Sequence, residues 1–281
     1  MTDHPGSDRI PPAEQAEGEA EADRRIPPED ANTLPAARLP RNAKSWAAKV
    51  DRLTVAGGRS HRSNVAGRRL TGPVQGFGKM WKKTYWIQVS PNISPQTVIA
   101  EWKEHFGEFW PAGNQFKGPL TSLSPGDVAL LDVSVGGGVR LSTGVFVLYA
   151  DEESFTLMTP QGHMFAGWIT FSAERAGRAS APDASPGSPT VVQIQVLMRA
   201  NDPLYELAMS LGGHRKEDRF WVQTMTALAT YLGALPATVH SRTVCVDRRR
   251  QWGNFGQVRH NSMVHSMLHS ATAIVQRRPP E

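Results

Sequence analysis

Histidine, cysteine and acidic side chains that could do chemistry occur along the chain without the spacing of a complete catalytic motif. His265 and His269 stand four residues apart in a segment that can form a helix, so both could face one metal ion. The segment lacks the glutamate of a zincin and a third ligand, and we predict an exposed or hydrogen-bonded pair. Cys245 lies in a valine-rich stretch and is predicted to pack rather than to act as a nucleophile. The acidic run at 151–153 is predicted to be a solvated turn.

Two glycine-rich stretches could cradle a phosphate group, but neither has the required sequence. The stretch GPVQGFGKM at 72–80 differs by one residue from the spacing of a P-loop, and Met80 replaces the required Ser or Thr. The glycines at 136–138 precede a predicted strand and are expected in a hairpin turn. We therefore predict no nucleotide site and no cofactor.

His163 and Arg199 are the two polar side chains that we consider for a binding site. His163 follows a turn glycine at the start of a predicted strand, and an imidazole there could change its charge near neutral pH. A hydrogen-bonded turn histidine is the favoured alternative. Arg199 lies where the last strand of a predicted run meets a helix, and its guanidinium could bind Asp202 or a ligand carboxylate. Asp202 itself is predicted to cap that helix.

Charge is distributed unevenly along the chain, which carries a net charge of +5. Residues 1–40 contain nine acidic and four basic side chains and almost no aromatic residue, so they are predicted to be disordered. Residues 41–83 contain eleven basic and one acidic side chain, and we predict a basic, Gly/Ser-rich linker that ends near residue 78.

A second basic segment, CVDRRRQWGNFGQVRHNS, follows residue 244. Its mixture of arginine and aromatic side chains could bind phosphates or anionic lipid head groups, although a solvated segment is the favoured alternative. The side chains concerned are Arg248, Arg249, Arg250, Trp252, Phe255 and Arg259.

The elements that would hold these residues follow from hydrophobic periodicity. A strand is predicted at 82–89, and a helix or a broken pair of helices is predicted from the cap Ser94 and Pro95 to Pro111. Five alternating segments between 118 and 199 predict an antiparallel meander with a long loop at 176–189. A long helix then follows Asp202, with glycines at 212–213 that could kink it. The pattern predicts an α+β fold in which a curved antiparallel sheet grips a long C-terminal helix.

The chain shows no apolar run of the roughly 18 residues that a spanning helix needs, and its first residues lack the apolar core of a secretory signal. We therefore expect a soluble, cytoplasmic protein.

This order of elements resembles the START-like, or helix-grip (SRPBCC), superfamily, which includes lipid-transfer and polyketide-cyclase proteins. The resemblance covers residues 80–235. The segments LSPGDVALLDV, VLYADEESFTLMTPQGHMFAGWITFSA and VVQIQVLMRA are similar to a bacterial branch of unknown function. Trp168 and Ile169 replace the acidic residues expected in that branch. The positions that carry the similarity are Gly126, Asp127, Gly162, His163, Gly167 and Phe171.

The resemblance implies a cavity for a hydrophobic ligand between sheet and helix. Alternate strand positions would line it, although one sequence leaves open which face of each strand points inward, and a closed core is an equal alternative. His163 and Arg199 would be polar anchors near its mouth. We predict that the lining consists of Phe146, Leu148, Met158, Trp168, Thr170, Gln195 and Leu197 from the strands and Met209 and Trp221 from the helix.

Three functions are compatible with this reading. We predict a non-catalytic domain at 79–235 that binds a hydrophobic small molecule or lipid. The first alternative is an enzyme of the cyclase or hydrolase type that acts on a small apolar substrate. The second is an interaction module whose basic segments bind an anionic membrane or nucleic acid. Whether the basic extension 236–281 docks on the domain is left open by the sequence.

Overall fold

A computed structural model describes residues 43–55, 64–119, 122–136, 139–177, 187–234 and 237–265. The predicted disordered tail 1–40, most of the predicted loop 176–189 and His269 lie outside these described residues.

Nine strands of the described residues form one antiparallel sheet. They are β1 (Leu70–Thr71), β2 (Met80–Val89), β3 (Gln115–Lys117), β4 (Val128–Gly136), β5 (Val139–Ala150), β6 (Ser154–Pro160), β7 (Phe165–Arg175), β8 (Thr190–Ala200) and β9 (His240–Asp247). Their order across the sheet is β3-β4-β5-β6-β7-β8-β2-β9, and β1 pairs with β6. The meander from β3 to β8 is therefore continued by β2, the first long strand of the chain, and then by β9.

The helices begin where the sequence predicts. In α1 (Pro95–Glu104), the Ser94 side chain accepts a hydrogen bond from the Thr97 amide at 3.0 Å. In α2 (Pro203–Ala208), Asp202 accepts from the first backbone amides. The chain then kinks at Gly212, whose φ of 116° favours glycine, and continues as α3 (His214–Tyr231). The predicted caps and the predicted kink are confirmed.

Helices α1 and α3 pack against the same face of the sheet, which we call the inner face. Trp102 of α1 lies at the centre of an aromatic cluster, with its ring centroid 5.1 Å from that of Phe171 on β7. Phe155 and Phe171, opposite each other on β6 and β7, stack at 4.6 Å. A curved antiparallel sheet packed against a long helix is the fold class that the sequence predicts, and it is confirmed.

The opposite, outer face of the sheet is covered in part by the segment before β2. Leu53 and Val65 are fully buried against Phe146 of β5. Contacts with the sheet therefore begin well before residue 79, where the sequence analysis places the start of the domain. The basic segment contains few apolar residues, and they occur at irregular intervals. They contact a strand that is distant in sequence, so hydrophobic periodicity within the segment does not predict their burial.

The C-terminal segment docks on the domain through residue 265, which answers the question left open by the sequence. β9 pairs with β2 along seven residue positions, and a 3-10 segment follows at Trp252–His260. The Ser262 amide donates to the carbonyl of Gly162. A Cβ at Gly162 would collide with the carbonyl of His260, and φ there is 88°, so this contact requires glycine.

Candidate functional site

A buried lysine and a buried tyrosine point from β2 into the space between sheet and helices. Lys83 and Tyr85 are both fully buried. They lie opposite Val196 and Ile194 of β8, which belong to the inner-face core. Because directly opposed residues of antiparallel strands point to the same face, both polar side chains face the helices.

The first two turns of α3 supply the partners of these side chains. The Lys83 ammonium lies 2.9 Å from Oε2 of Glu217 and 2.7 Å from Oδ1 of Asp218. The Tyr85 hydroxyl donates to the same Asp218 oxygen at 2.6 Å. We call Lys83, Tyr85, Glu217 and Asp218 the ionic cluster. The Asp218 side chain is 42% exposed, so the ionic cluster extends from the core to the surface.

Burial changes the ionisation of the groups in and beside the ionic cluster. Burial raises the pKa of Glu217 to about 7, against the opposing influence of Lys83. Burial, followed by the charge of Glu217, raises the pKa of Tyr85 far above its usual value, so its hydroxyl stays a donor. Burial and Lys83 lower the pKa of the neighbouring His214 to about 4. At neutral pH, Glu217 can therefore take up or release a proton next to a buried cation.

The ionic cluster adjoins the aromatic core. Trp221 follows Glu217 by one turn of α3, and its ring lies 5.8 Å from that of Phe171. Two further indole nitrogens in this core, Nε1 of Trp102 and Nε1 of Trp110, are buried and have no acceptor among the described residues. The inner face thus combines an ionic end with an aromatic region that contains unpaired N–H donors.

The seven strand residues predicted to line a cavity do not face the helices. Phe146 belongs to the core of the outer face, and Leu148 packs against it. In the sheet, Trp168 lies opposite both Met158 and Leu197, and Thr170 lies opposite Gln195. Their strand neighbours are the residues that face α1 and α3, among them Leu157, Phe171, Ile194 and Val196.

The alternation of side chains along a strand explains this placement. Side chains alternate between the two faces of a strand, so one choice of face for each strand moves the whole predicted set to the wrong side. The inner face is occupied instead by the residues one position away. The two helical residues, Met209 and Trp221, do lie on the inner side.

The two predicted polar anchors bind groups of their own chain. Nδ1 of His163 accepts a hydrogen bond from the Phe165 amide at 3.0 Å, which matches the favoured alternative of a hydrogen-bonded turn histidine. Burial lowers the pKa of His163 to about 4. Arg199 points to the outer face and lies 2.6 Å from the Asp247 carboxylate. It also donates to the carbonyls of Gly78 and Arg249. Arg199 therefore fastens the end of β9 to the sheet.

The remaining candidates from the sequence have structural surroundings. Asp151 accepts from the amides of Glu153 and Ser154 in a turn, as predicted for the acidic run. Cys245 is a partly buried thiol on β9. Within the described part of the chain, no group of three metal-ligating side chains occurs. The helices in this part of the chain are too short or too polar to span a lipid bilayer.

The ionic cluster was not predicted, although the sequence contains a signal for it. In KKTYWIQV, alternation places Lys83 and Tyr85 on the same face as Ile87. A lysine on the buried face of a strand requires a buried anion. Glu217 and Asp218 precede the apolar positions of the long helix, and only the tertiary fold brings them to β2.

Comparison with solved structures finds proteins of low similarity to this chain. No protein-family model and no curated protein matches the chain. A START superfamily protein from Mycobacterium smegmatis is 18% identical over 56% of this chain and 99% of its own, with a TM-score of 0.35. Major latex-like protein 151 from Panax ginseng is 13% identical over 55% of this chain and 98% of its own, with a TM-score of 0.33.

The di-domain ARO/CYC StfQ from the steffimycin biosynthetic pathway is 7% identical over 55% of this chain and 51% of its own, with a TM-score of 0.40. Identities and TM-scores this low carry no argument about the superfamily, the ligand or the reaction of this chain. The helix-grip fold class is carried by the described sheet and helices themselves.

Proposed function

We propose that the protein binds a hydrophobic small molecule or lipid between the inner face of the sheet and α3, in the unit 79–235, and that it does so in the cytoplasm. The observation that carries the proposal is the pair of buried, unpaired indole N–H groups of Trp102 and Trp110. An unpaired buried donor costs about 1–3 kcal/mol, and an acceptor oxygen on a largely apolar ligand would remove that cost.

The surroundings of the two indoles support a ligand of this type. Trp102 packs against Phe155 and Phe171, and Trp110 packs against Phe220 of α3 at 5.1 Å. These rings offer contacts to an apolar or aromatic ligand body. The ionic cluster beyond Trp221 offers a donor or acceptor to a polar end. The expected ligand is therefore mainly apolar, with at least one oxygen that accepts a hydrogen bond.

Native mass spectrometry of the purified protein, followed by organic extraction, tests this proposal. We expect an adduct whose extracted component is apolar and contains oxygen. The identified compound is then titrated against Trp102→Phe and Trp110→Phe, which remove the indole N–H and keep an aromatic ring. The matched control is Trp168→Phe on the outer face.

We expect weaker binding for at least one of the two inner-face variants, by about tenfold for a lost hydrogen bond, and unchanged binding for the control. If a protein that retains its fold carries no extractable compound and also fails to bind a hydrophobic fluorescent probe, the proposal is wrong. Equal loss in Trp168→Phe would place the ligand on the outer face.

The raised pKa of Glu217 favours a second candidate function, an enzyme acting on a small apolar substrate. A carboxylate with a pKa of about 7 can serve as a general base or acid near neutral pH. Glu217 is the group to test for this candidate. Incubation of the extracted compound with the protein should then change its mass, and Glu217→Gln should abolish the change. Recovery of an unaltered compound contradicts the enzyme.

A further inference from the structure

Helix α2 presents an apolar face that no other described part of the chain covers. Leu204, Leu207 and Leu211, spaced to lie along one side of α2 and the turn after it, are 48%, 58% and 78% exposed. Leucines at this spacing normally mark the side of a helix that packs on a core. The core side of α2 is occupied instead by Tyr205 and Met209.

Exposed aromatic rings lie beside this helix. Trp252 and Phe255 of the 3-10 segment are 68% and 51% exposed. The two rings lie parallel with centroids 6.5 Å apart, and each makes a T-shaped contact with the buried Phe77. Phe77 packs against both rings. Much of the surface of each ring still stays exposed to solvent.

A salt bridge joins the aromatic segment to the helix. Nε of Arg250 lies 3.2 Å from Oε1 of Glu206, a buried residue of α2. We call the combined surface the α2–aromatic patch. It consists of Leu204, Leu207, Leu211, Trp252, Phe255 and the arginines 248–250.

The α2–aromatic patch carries positive charge. Residues 248–260 contain four arginines and no acidic residue. The acids that adjoin the patch are engaged within the chain, since Asp247 binds Arg199 and Arg249, and Glu206 binds Arg250. The Arg249 side chain remains 86% exposed. Leucine, tryptophan and phenylalanine beside arginines are the composition that suits the boundary between phospholipid head groups and acyl chains.

From this combination we propose that the α2–aromatic patch docks the protein on an anionic phospholipid bilayer. The arginines contact lipid phosphates, and the leucines and the two rings enter the interface between head groups and acyl chains. Single-stranded nucleic acid also binds arginines and aromatic rings, but it offers nothing to the three leucines of α2. The leucines therefore favour the bilayer.

Flotation of the full-length protein with lipid vesicles tests the proposal. We expect binding to vesicles made of equal parts phosphatidylcholine and phosphatidylserine, and little binding to phosphatidylcholine alone. At about 1 M salt, where the Debye length is about 3 Å, binding to the anionic vesicles should fall steeply. Competition with single-stranded DNA at low salt addresses the alternative partner.

Two variant pairs separate the apolar from the charged contribution. Leu207→Gln with Leu211→Gln should lower partitioning by at least about tenfold, because two leucines lose their contact with the interface. Arg248→Gln with Arg249→Gln should lower it by about tenfold to thirtyfold at low salt.

Matched controls lie outside the patch. Val244→Thr with Val246→Thr alters two exposed apolar residues of β9, and Lys49→Gln with Lys82→Gln removes the same charge from exposed lysines elsewhere. Both controls should partition like the unmodified protein. Because all the residues changed are exposed, circular dichroism should show that every variant folds.

Three outcomes would overturn the proposal. The first is equal binding to neutral and anionic vesicles. The second is binding that is unchanged in both patch variants or reduced equally in the controls. The third is binding of single-stranded DNA in a salt-dependent manner without any vesicle binding, which would assign the patch to nucleic acid.

Discussion

Lys83 and Arg199 are two fully buried cations on neighbouring strands, and they point to opposite faces of one sheet. Arg199, on the outer face, donates to two backbone carbonyls and to the carboxylate of Asp247. Lys83, on the inner face, lies between the carboxylates of Glu217 and Asp218. The partners of Arg199 are mostly fixed backbone, whereas the partners of Lys83 are acids whose protonation can change.

The carboxylates that face the two cations differ in the same way. Hydrogen bonds from Arg249 and from Arg199 hold the pKa of Asp247 at about 2, so this group stays ionised at any physiological pH. Burial raises the pKa of Glu217 to about 7. A buried cation is therefore not by itself a sign of function. The pKa of the carboxylate partner distinguishes the ion pair of Arg199 with Asp247 from the ionic cluster.

The largest effect is expected from removing the charge of Lys83. Lys83→Met leaves Glu217 and Asp218 without their cation and should lower the free energy of unfolding by about 3–5 kcal/mol, as for other broken buried ion pairs. Chemical denaturation measures the loss. Adding Glu217→Gln to Lys83→Met removes one uncompensated charge and should restore part of it. A loss of less than about 1 kcal/mol in the single variant would contradict the buried pairing.

A smaller and local effect is expected at the other cation. Arg199→Lys keeps the charge but loses the planar fork that reaches Asp247 and two carbonyls, at a cost of about 1.5–3 kcal/mol. Hydrogen exchange should rise in β9 and leave α3 unchanged. Lys83→Met should give the opposite pattern, with faster exchange at the start of α3. If both variants loosen the same element, the two sites are not independent.

The raised pKa of Glu217 should make the stability of the folded chain depend on pH. Glu217 binds its proton more tightly in the folded chain, where its pKa is about 7, than at its ordinary value of 4.5. Its contribution to stability is therefore present below about pH 4.5 and is lost as the pH rises through about 7. His163 and His214, with pKa values lowered to about 4, act in the opposite direction as the pH falls below about 6.5.

Comparison with Glu217→Gln isolates the contribution of the carboxylate, because the histidines are common to both proteins. The stability of the variant relative to the unmodified protein should increase by about 1–3 kcal/mol between about pH 5 and pH 8. Urea denaturation at a series of pH values gives this difference. A difference independent of pH would mean that Glu217 does not titrate in this range.

Periodicity and capping residues predicted most of the fold. The caps at Ser94 and Asp202, the kink at Gly212 and the long meander follow from local sequence. β9 was not predicted, since its partner β2 lies about 160 residues away and short edge strands have weak patterns.

The site was harder to predict than the fold because it depends on which face of each strand is buried. Lys83 and Tyr85 lie on the inner face, and the predicted lining, such as Trp168 and Leu197, lies on the outer one. Both faces of β7 and β8 carry apolar residues, so hydrophobicity alone does not decide between them. The two acids that complete the ionic cluster come from a helix more than a hundred residues away.

The smallest effect is expected from Tyr85→Phe. Its hydroxyl and the Lys83 ammonium bind the same oxygen of Asp218, so the carboxylate keeps its cation when the hydroxyl is lost. The free energy of unfolding should fall by about 0.5–1.5 kcal/mol, the usual worth of one hydrogen bond.

Tyr149→Phe is the matched control, because Tyr149 is also buried and donates to an acidic turn residue, Asp151. The two variants should lose similar stability. Only Tyr85→Phe should alter the binding of a ligand that reaches the ionic cluster, since Tyr149 belongs to β5 and its hydroxyl is engaged at the turn after that strand. Equal changes in ligand affinity in the two variants would mean that the ionic cluster is not part of the binding site. Lys83 would then form a structural ion pair, as Arg199 does.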